Sequence, residues 1–377
     1  MESGLISVDR WKRGSEAYFL THMHSDNTRG LCSKWSNGPL FCSPTTASLF
    51  PSRFPAFDLS LIRVVTLSSW ISLSLRTPAS GDAFTFHFMA IDAHHCPGSV
   101  MFLFRGDFGC FLYTGDFRWD SECDDAKATL ADAINHFPVD VLYLDNTYCN
   151  PIYNFPSRHL IAPLVADIIA SHPSHDIIIG VDSLGKEELL VRISRILNTK
   201  IWVWPERLHT MHLLGFKDIF TTDTTLTRVR AVPRQSFSIQ TLVELNTMCP
   251  TIGIMPSGLP WVKRTYGGDA NLSGSLITAS YNARKNTNGP RKKNLQTVHK
   301  FHDYMYSVQY SDHSCFEEIG DFIKLVQPKS MKGIVASSSC YVDPLYYFGR
   351  ICGTSQPPEL LLMRPQQRRG NKAIPSC

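Results

Sequence analysis

The sequence predicts an α/β protein in which one domain is inserted into another. Three observations support this. Apolar runs in roughly the first 150 residues each end in polar side chains, as buried strands that carry a site do. Beyond residue 157, strand-like and helical patterns alternate, which indicates βαβ units and a parallel sheet. The strand-then-polar pattern returns near residue 310, and an inserted domain is the simplest account of a pattern that stops and resumes.

The first part of the outer domain is expected over residues 1–156. Each of its apolar runs reads as a strand whose C-terminal end presents functional side chains. The four runs are AYFLTHMHSD, FHFMAIDAHH, CFLYTGDF and VLYLDNT.

The inserted domain is expected over residues 157–300. Apolar residues between Leu160 and Ile169 recur at helical spacing, and a second helical stripe runs from Leu189 to Leu197. Between them, IIIGV (Ile177–Val181) reads as a buried strand.

The outer domain resumes over residues 301–363. Here MYSVQYSDH repeats the strand-then-ligand pattern, and a helix from Phe316 to Val326 follows, with Pro328 ending it. Residues 364–377 are expected to be a basic tail.

Composition is typical of a globular protein with a substantial core, at 377 residues, 43% hydrophobic and 19% charged. We expect no membrane-spanning segment, because no run of 18 apolar residues occurs, and no secretory leader at the N-terminus. The eleven cysteines form no CxxC pair, which favours a reducing compartment.

The distribution of charge is more informative than the net value of +4. Residues 262–300 hold eight Lys or Arg and one acid, and we interpret them as a long basic loop. Such a loop could follow a DNA backbone. An ordinary solvated insertion explains the composition nearly as well.

The motifs that follow the strands predict a metal site. Zinc takes nitrogen from His and oxygen from Asp, and a catalytic site leaves a position open. HxHxD, HHCPGS, TGD and SDHS each follow a strand, and this series is much harder to obtain by chance than any one motif. The residues that these motifs offer as ligands are His22, His24, Asp26, His94, His95, Asp116 and His313. Asp116 is suited to bridge two metal ions.

These same residues resemble the metallo-β-lactamase fold nucleases of the β-CASP group, in their DNA cross-link repair branch. The resemblance covers nearly the whole chain and rests on THMHSDN, DAHHCPGSVMFLF, LYTGDFR, YLDNTYCNP and YSDHS. It implies an αββα sandwich with an inserted α/β β-CASP domain. It also implies a zinc-dependent 5′-to-3′ DNA exonuclease that hydrolyses phosphodiester bonds with metal-activated water and prefers a 5′-phosphate.

The resemblance also implies roles for single residues. His22, His24 and His95 would hold one Zn²⁺, with His95 rather than His94 in the ligand position. Asp26, His313 and the residue at Asn27 would hold a second ion, and Asp116 would bridge. The acids with implied catalytic or supporting roles are Asp9, Asp26, Asp116 and Asp145.

The substrate contacts are expected from the SLGKE segment, from MPSG (Met255–Gly258) and from the YSDHS motif, which contains Ser311. SLGKE (Ser183–Glu187) precedes a helix, where backbone N–H groups favour phosphate. Without the resemblance, an ordinary turn is equally reasonable. The residues expected to hold a 5′-phosphate are Ser183, Lys186, Ser257 and Ser311. Val335 falls where the DNA-acting members of the family have Val. Trp202 and Trp204 could stack bases, although core packing explains them better.

Asn27 departs from the family, which has His at this position. An amide oxygen is a poorer zinc ligand than imidazole. We expect an active nuclease whose second metal is weak. The alternatives are an RNA-processing β-CASP nuclease and a catalytically weakened DNA-binding scaffold. The resemblance further implies nuclear localisation, DNA ends as the substrate, DNA repair or telomere proteins as partners, and a role in interstrand cross-link repair or telomere end processing.

Overall fold

The computed structural model describes residues 4–76, 81–135, 137–236, 238–258, 297–335 and 343–353. The basic segment expected over 262–300 falls outside these ranges except for its last residues, and the basic tail lies outside them entirely. Among the described residues, we find no helix with the length and apolar character that a membrane span requires.

The strands fall into three sheets. The first sheet contains β1 (Ile6–Val8), β2 (Ala17–Phe19), β3 (Leu40–Cys42) and β4 (Ile62–Val64). The second contains β5 (Ile71–Arg76), β6 (Ala83–Asp92), β7 (Val100–Gly106), β8 (Gly109–Tyr113), β9 (Val141–Leu144) and β17 (Ser330–Gly333). The third contains β10 (Asp176–Val181), β11 (Ile201–Trp202), β12 (Phe220–Thr221), β13 (Val229–Pro233), β14 (Thr251–Ser257), β15 (Val298–His302) and β16 (Met305–Gln309).

Helices join and cover these sheets. The α-helices are α1 (Pro44–Arg53), α2 (Asp124–Ile134), α3 (Ile161–Ala170), α4 (Glu187–Leu197), α5 (Pro205–Leu213), α6 (Ile239–Asn246), α7 (Phe316–Val326) and α8 (Pro344–Phe348). Short 3-10 turns occur at Leu59–Leu61, Arg158–Leu160, Arg234–Ser236 and Gly349–Cys352. The three helices expected from apolar spacing appear as α3, α4 and α7, and α7 ends before Pro328 as predicted.

The first two sheets form the two inner layers of an αββα sandwich, as the resemblance implied. The first sheet is parallel, in the order β1-β2-β3-β4. The second has the order β17-β9-β8-β7-β6-β5, in which β5 to β8 are antiparallel neighbours. Phe19 of β2 packs in one core with Phe88 and Phe102 of the second sheet, so these two faces meet.

The outer faces of both sheets are covered as well. Tyr18 and Leu20 point away from Phe19 and pack in the core that contains Phe50 of α1. Leu103 of β7 packs in the core that contains Leu130 of α2 and helix α7. Because β2, β3 and most of β7 are buried on both faces, they appear in the sequence as continuous apolar runs. The edge strand β5 alternates instead, as ISLSLR, since only one of its faces is covered.

The third sheet makes the second lobe of the molecule, and its strands come from described residues between Asp176 and Gln309. Its order is β12-β11-β13-β10-β14-β16-β15, and β15 pairs antiparallel with β16 while the other pairs are parallel. Helices α3 and α4 pack on one face and α6 on the other. Strand β15 crosses the domain boundary expected at residue 300, and β16 also belongs to this sheet, while β17 returns to the second sheet beside β9.

The carboxyl ends of strands from all three sheets converge on one place. Polar residues follow β2, β6, β8, β9 and β16 within two positions of the strand end. This is where the strand-then-ligand motifs lie, and it forms the candidate site.

Candidate metal centre

Three histidines and one aspartate meet at this convergence. They are His22, His24, His95 and Asp116. His24 Nδ1 lies 3.1 Å from His22 Nε2 and 3.0 Å from His95 Nε2. Asp116 Oδ2 lies 3.5 Å from His22 Nε2 and 3.6 Å from His95 Nε2. Zinc–ligand bonds of ~2.0–2.1 Å in a tetrahedron place ligand atoms about 3.3 Å apart, so these four atoms fit one ion.

The protein fixes which nitrogen of each histidine faces inward. His22 Nδ1 lies 3.0 Å from Thr21 Oγ1, and that hydroxyl donates to Asp9 Oδ2 at 2.7 Å. His24 Nε2 donates to the carbonyl of Leu184, at 2.9 Å. These outer contacts hold the proton on the outer nitrogen and leave a lone pair on the inner one.

His95 follows the same rule, since its Nδ1 donates to the carbonyl of Asp312 at 2.8 Å. Three inward lone pairs beside a carboxylate repel one another unless a cation lies between them. The donor set therefore fits a divalent metal. His94, the neighbouring candidate, has a left-handed backbone (φ 52°) and lies outside this group.

Without a metal, the three histidines titrate differently. Burial would lower the pKa of His22, but the hydrogen bond and the charge of Asp116 raise it, so His22 must release a proton when a metal binds. Burial favours the neutral carboxyl of Asp116, but the hydrogen bond from His22 and the nearby His313 outweigh burial and hold its pKa well below the usual range. Burial, followed by the charge of His313, lowers the pKa of His95 well below normal. Burial and His22 lower the pKa of His24 as well. Two neutral histidines beside an ionised carboxylate are the protonation states that a metal requires.

A second group shares Asp116 and adds Asp145 and His313. His313 Nδ1 donates to Asp145 Oδ2 at 2.8 Å, which leaves the other ring nitrogen for the centre. Burial would lower the pKa of His313, but Asp145 raises it to about 9. Thr147 donates to Asp145 Oδ1 through both its backbone N–H and its hydroxyl, at 3.0 and 2.6 Å. Asp145 is therefore held firmly as the acceptor for His313.

Asp9 lies behind the centre rather than in it. It accepts from the backbone N–H of Thr21 at 3.0 Å and from the Thr21 hydroxyl. Burial raises the pKa of Asp9 to about 6, against the lowering effects of His22 and Thr21. Gly115 supports the same contact, because its φ is +55° and a Cβ there would lie 2.8 Å from Thr21 Cβ. Only glycine allows this approach.

Asp26 and Asn27 do not join the potential ligands at the centre. Asp26 is exposed and is part of neither group of potential ligands found among the described residues. The Asn27 amide nitrogen lies 2.9 Å from His22 Nε2 and 3.0 Å from His22 Nδ1. The backbone carbonyl of Asn27 accepts from Trp11 Nε1 at 2.6 Å. With its amide nitrogen toward the ring, the Asn27 side chain presents N–H groups to His22, and an amide nitrogen has no lone pair for a metal.

The expected phosphate contacts lie on the second lobe's side of the centre. Lys186 is buried, with its amine between Asp182 and Asp312 Oδ2, and these carboxylates raise its pKa against the effect of burial. Ser183 is exposed, whereas Ser257 and Ser311 are buried. The Ser311 hydroxyl donates to the carbonyl of His313 and accepts from its N–H, both at 2.9 Å.

Buried arginines that the sequence reasoning left unassigned hold the ligand loops in place. Arg118 is fully buried and donates to the carbonyls of Ser311 and Pro156 and to Glu318 Oε1, at 2.7, 3.1 and 2.9 Å. Arg207 likewise donates to the carbonyls of residues 182, 183 and 185 and to Glu187. The sequence placed Arg118 directly after the TGDF motif, which was the one indication that it belongs to the site. Its hydrogen-bond partners could not be read from the sequence, because they lie far away in the chain.

Arg158 joins two other segments of the site. Its Nε donates to Asp120 Oδ2 at 2.9 Å, and its Nη1 donates to the carbonyl of His94 at 2.7 Å. Asp120 accordingly has its pKa lowered to about 2, since Arg158 and Arg118 outweigh burial.

The remaining candidates have structural partners. The backbone N–H of Val335 donates to Asn146 Oδ1 at 2.9 Å, next to Asp145. Trp202 Nε1 donates to the carbonyl of Thr222, and the Trp204 ring lies 5.5 Å from the guanidinium carbon of Arg207.

The sequence comparisons with known proteins all indicate the same family. A family model described as DNA repair metallo-beta-lactamase matches residues 216–339. The 5′ exonuclease Apollo of Gallus gallus is 37% identical over 99% of this chain, which spans 72% of that protein. Apollo of Danio rerio is 35% identical over 90% of this chain, which spans only 52% of that protein.

More distant similarities point in the same direction. The DNA cross-link repair protein SNM1 of Arabidopsis thaliana is 30% identical over 84% of this chain and 60% of its own length. A solved structure from Enterococcus faecalis V583, described as a protein of unknown function, has a TM-score of 0.50 at 12% identity, and the match covers 84% of this chain and 75% of that one. This last likeness bears on the fold alone.

Proposed function

Because the chain belongs to the DNA repair metallo-β-lactamase family that includes the Apollo 5′ exonucleases, we propose that it is a metal-dependent 5′-to-3′ DNA exonuclease. The observation that carries the proposal is the set of three inward-facing histidine nitrogens beside Asp116. The relative at 37% identity is a 5′ exonuclease, and a metal ion held by such donors can activate water for phosphodiester hydrolysis.

The ion is proposed to be Zn²⁺, held by His22, His24, His95 and Asp116. Nitrogen-rich tetrahedral donors favour zinc over magnesium or calcium. When bound, such an ion lowers the pKa of water and stabilises charge on phosphate oxygens. A second, weaker position is proposed at Asp116 and His313, because Asp26 is exposed and Asn27 offers N–H groups to His22.

The chain's own residues orient the groups that react. Asp145 holds the ring of His313 through Nδ1, so the ring cannot rotate away from the centre. Asp9 and Thr21 hold His22 in the same way. The side chains of His313 and Asp116 keep 25% and 15% of their surface exposed, whereas His22 is fully buried, so substrate is expected to approach from the side of His313 and Asp116.

The substrate is proposed to be a DNA strand with a 5′-phosphate, single-stranded or at a duplex end. Lys186, Ser183, Ser257 and Ser311 are proposed to lie around that phosphate. A role in cross-link repair is proposed because several relatives are DNA cross-link repair proteins. Telomere end processing, a nuclear location and DNA repair or telomere proteins as partners are proposed from the resemblance.

The test is digestion of a 3′-labelled DNA oligomer by the zinc-loaded protein. Oligomers with 5′-phosphate and 5′-hydroxyl are run in parallel, together with an RNA oligomer of the same sequence and an Asp116→Ala control. We expect a ladder that shortens from the 5′ end, is faster with phosphate and is absent in the control.

Other outcomes would identify the alternatives. Preferential cleavage of RNA would replace the proposal with an RNA-processing nuclease. No cleavage of either polymer by folded, zinc-loaded protein that still binds DNA would indicate the DNA-binding scaffold, for which Asn27 supplies a reason.

A further inference from the structure

Arg234 lies at the edge of the third sheet that faces the metal centre. It begins the 3-10 turn directly after β13, and β13 runs parallel to β10. Strand β14 lies on the other side of β10 and ends at Ser257. The carboxyl ends of parallel strands meet at one edge, where ligands commonly bind. The segment after β10 reaches the centre itself, because the carbonyl of Leu184 accepts from His24 Nε2.

The neighbours of Arg234 place its guanidinium on the wall beside the centre. Its Nη2 lies 3.5 Å from Ser257 Oγ. Gly258, directly after Ser257, lies against Tyr148, because a Cβ there would be 2.6 Å from the Tyr148 hydroxyl oxygen. The Tyr148 ring, in turn, lies 6.0 Å from the ring of His313.

Arg234 differs from the other arginines of this region in its charge partners. Arg118, Arg158 and Arg207 each have a carboxylate oxygen at 2.9 Å. Arg230, four residues earlier on strand β13, pairs with Asp176 at 3.1 Å. Within the part of the chain that the structure describes, no ion pair is found for Arg234.

The nearby Asp182 does not take this role, because its carboxylate accepts from the amine of Lys186. The Arg234 side chain is partly exposed, so its planar donor fork can reach a ligand from the cleft. A guanidinium without a carboxylate partner is a strong bidentate site for phosphate.

We propose that Arg234, assisted by Ser257, binds a phosphate group of the DNA strand on the second lobe's wall of the cleft. The proposal rests on the proposed function, because it needs a nucleic-acid substrate at the metal centre. It adds a substrate contact that lies outside both the metal motifs and the SLGKE loop.

The experiment compares Arg234→Ala and Arg234→Lys with Arg230→Ala, which removes the same charge four residues earlier, from strand β13. Zinc-loaded proteins are titrated with a 3′-fluorescent single-stranded oligomer whose first linkages are phosphorothioates, which slows cleavage, and binding is measured by anisotropy. Oligomers carry either a 5′-phosphate or a 5′-hydroxyl. Cleavage kinetics on ordinary oligomers and melting temperatures accompany the titrations.

We expect Arg234→Ala to weaken binding by about 10- to 100-fold, the range for one hydrogen-bonded charged contact. The slope of log affinity against log salt should become shallower by about 0.7, as expected for one single-strand phosphate contact. Arg234→Lys should lose less, because it keeps the charge without the fork. KM should rise more than kcat falls, and Arg230→Ala should stay near the parent protein.

The two oligomers locate the phosphate. A loss confined to the 5′-phosphate oligomer assigns Arg234 to the terminal phosphate, and an equal loss on both assigns it to the backbone. Binding by Arg234→Ala equal to that of Arg230→Ala would overturn the inference alone. A parent protein that neither binds nor cleaves DNA would overturn the proposed function and the inference together.

Discussion

Thr21 offers the sharpest test of how the metal centre is built. Its hydroxyl donates to Asp9 at 2.7 Å and receives His22 Nδ1 at 3.0 Å, so a single oxygen connects an acid to a proposed metal ligand. Thr21→Val has nearly the same shape and removes only this oxygen. Asp9 keeps the backbone N–H of Thr21, at 3.0 Å.

The expected magnitude follows from the contacts that are lost. Removing a group that orients a metal ligand typically costs about 10- to 100-fold in metal affinity. A factor of ten corresponds to ~1.4 kcal/mol, so the expected loss is ~1.4–2.8 kcal/mol of zinc binding free energy. The metal-free fold should lose less, about 1–2 kcal/mol, because the Thr21 hydroxyl is buried and its partners lose one hydrogen bond each.

The assay is a competition titration of zinc against a chromophoric chelator, with urea unfolding of the metal-free protein alongside. Thr251→Val is the matched control. Thr251 is also a buried threonine, and its hydroxyl donates to the carbonyl of Cys249 in the second lobe, far along the chain from the metal motifs. Unchanged zinc affinity in folded Thr21→Val would refute the idea that Asp9 and Thr21 position His22, whatever happens to stability.

Three further predictions concern the metal and the ion pairs around it. Removing the metal with a chelator should abolish cleavage. Relative to protein at a zinc concentration near 100 times its Kd, it should also lower the unfolding free energy by roughly 3 kcal/mol, measured by thermal melting with and without zinc. An unchanged melting temperature would contradict the assigned ligands. Asn27→His should raise the zinc content, measured by elemental analysis, toward two ions per chain and should increase the rate of DNA cleavage. The reason is that it replaces an amide N–H donor beside His22 with a ligand nitrogen. If neither the zinc content nor the rate changed, the proposed weak second position would be undercut. Asp120→Asn should destabilise the fold by about 3–5 kcal/mol in urea unfolding near neutral pH, since it leaves the buried guanidinium of Arg158 without its carboxylate. The pKa of Asp120 is lowered in the fold, from 3.8 to about 2, so this stabilisation is present above pH ~4 and should fade as the pH falls toward 2; a loss under 1 kcal/mol would count against it.

Much of the fold was predictable because its signals are local. The helix expected from Phe316 to Val326 has those bounds in the structure, since apolar spacing and a following proline act within a few residues. The apolar runs before His22, His95, Asp116 and Asp145 form β2, β6, β8 and β9 for the same reason. The seven-stranded order of the third sheet was not predictable, because strand order depends on contacts between residues that are distant in the chain.

The candidate site divides in a similar way. The motifs contained His22, His24, His95 and Asp116, and the structure brings these four together. The spacing of the HxHxD motif predicted that Asp26 would be a metal ligand, like the two histidines before it. After His24, however, the chain forms a turn in which the backbone N–H of Thr28 donates to the His24 carbonyl, and Asp26 lies at the surface.

The sequence by itself determined the α/β class, the presence of an inserted region and the type of ligands, because apolar runs, helical spacing and short motifs are properties of neighbouring residues. The αββα arrangement was implied only by the family resemblance that those motifs carry. Only the tertiary structure decided which nitrogens of His24 and His95 face the centre, since Leu184 and Asp312 supply the acceptors from 160 and 217 residues away. It also decided that Lys186 lies between two carboxylates while Arg234 has no such partner among the described residues. Electrostatic interactions depend on distance in space, and a folded chain sets those distances independently of sequence separation.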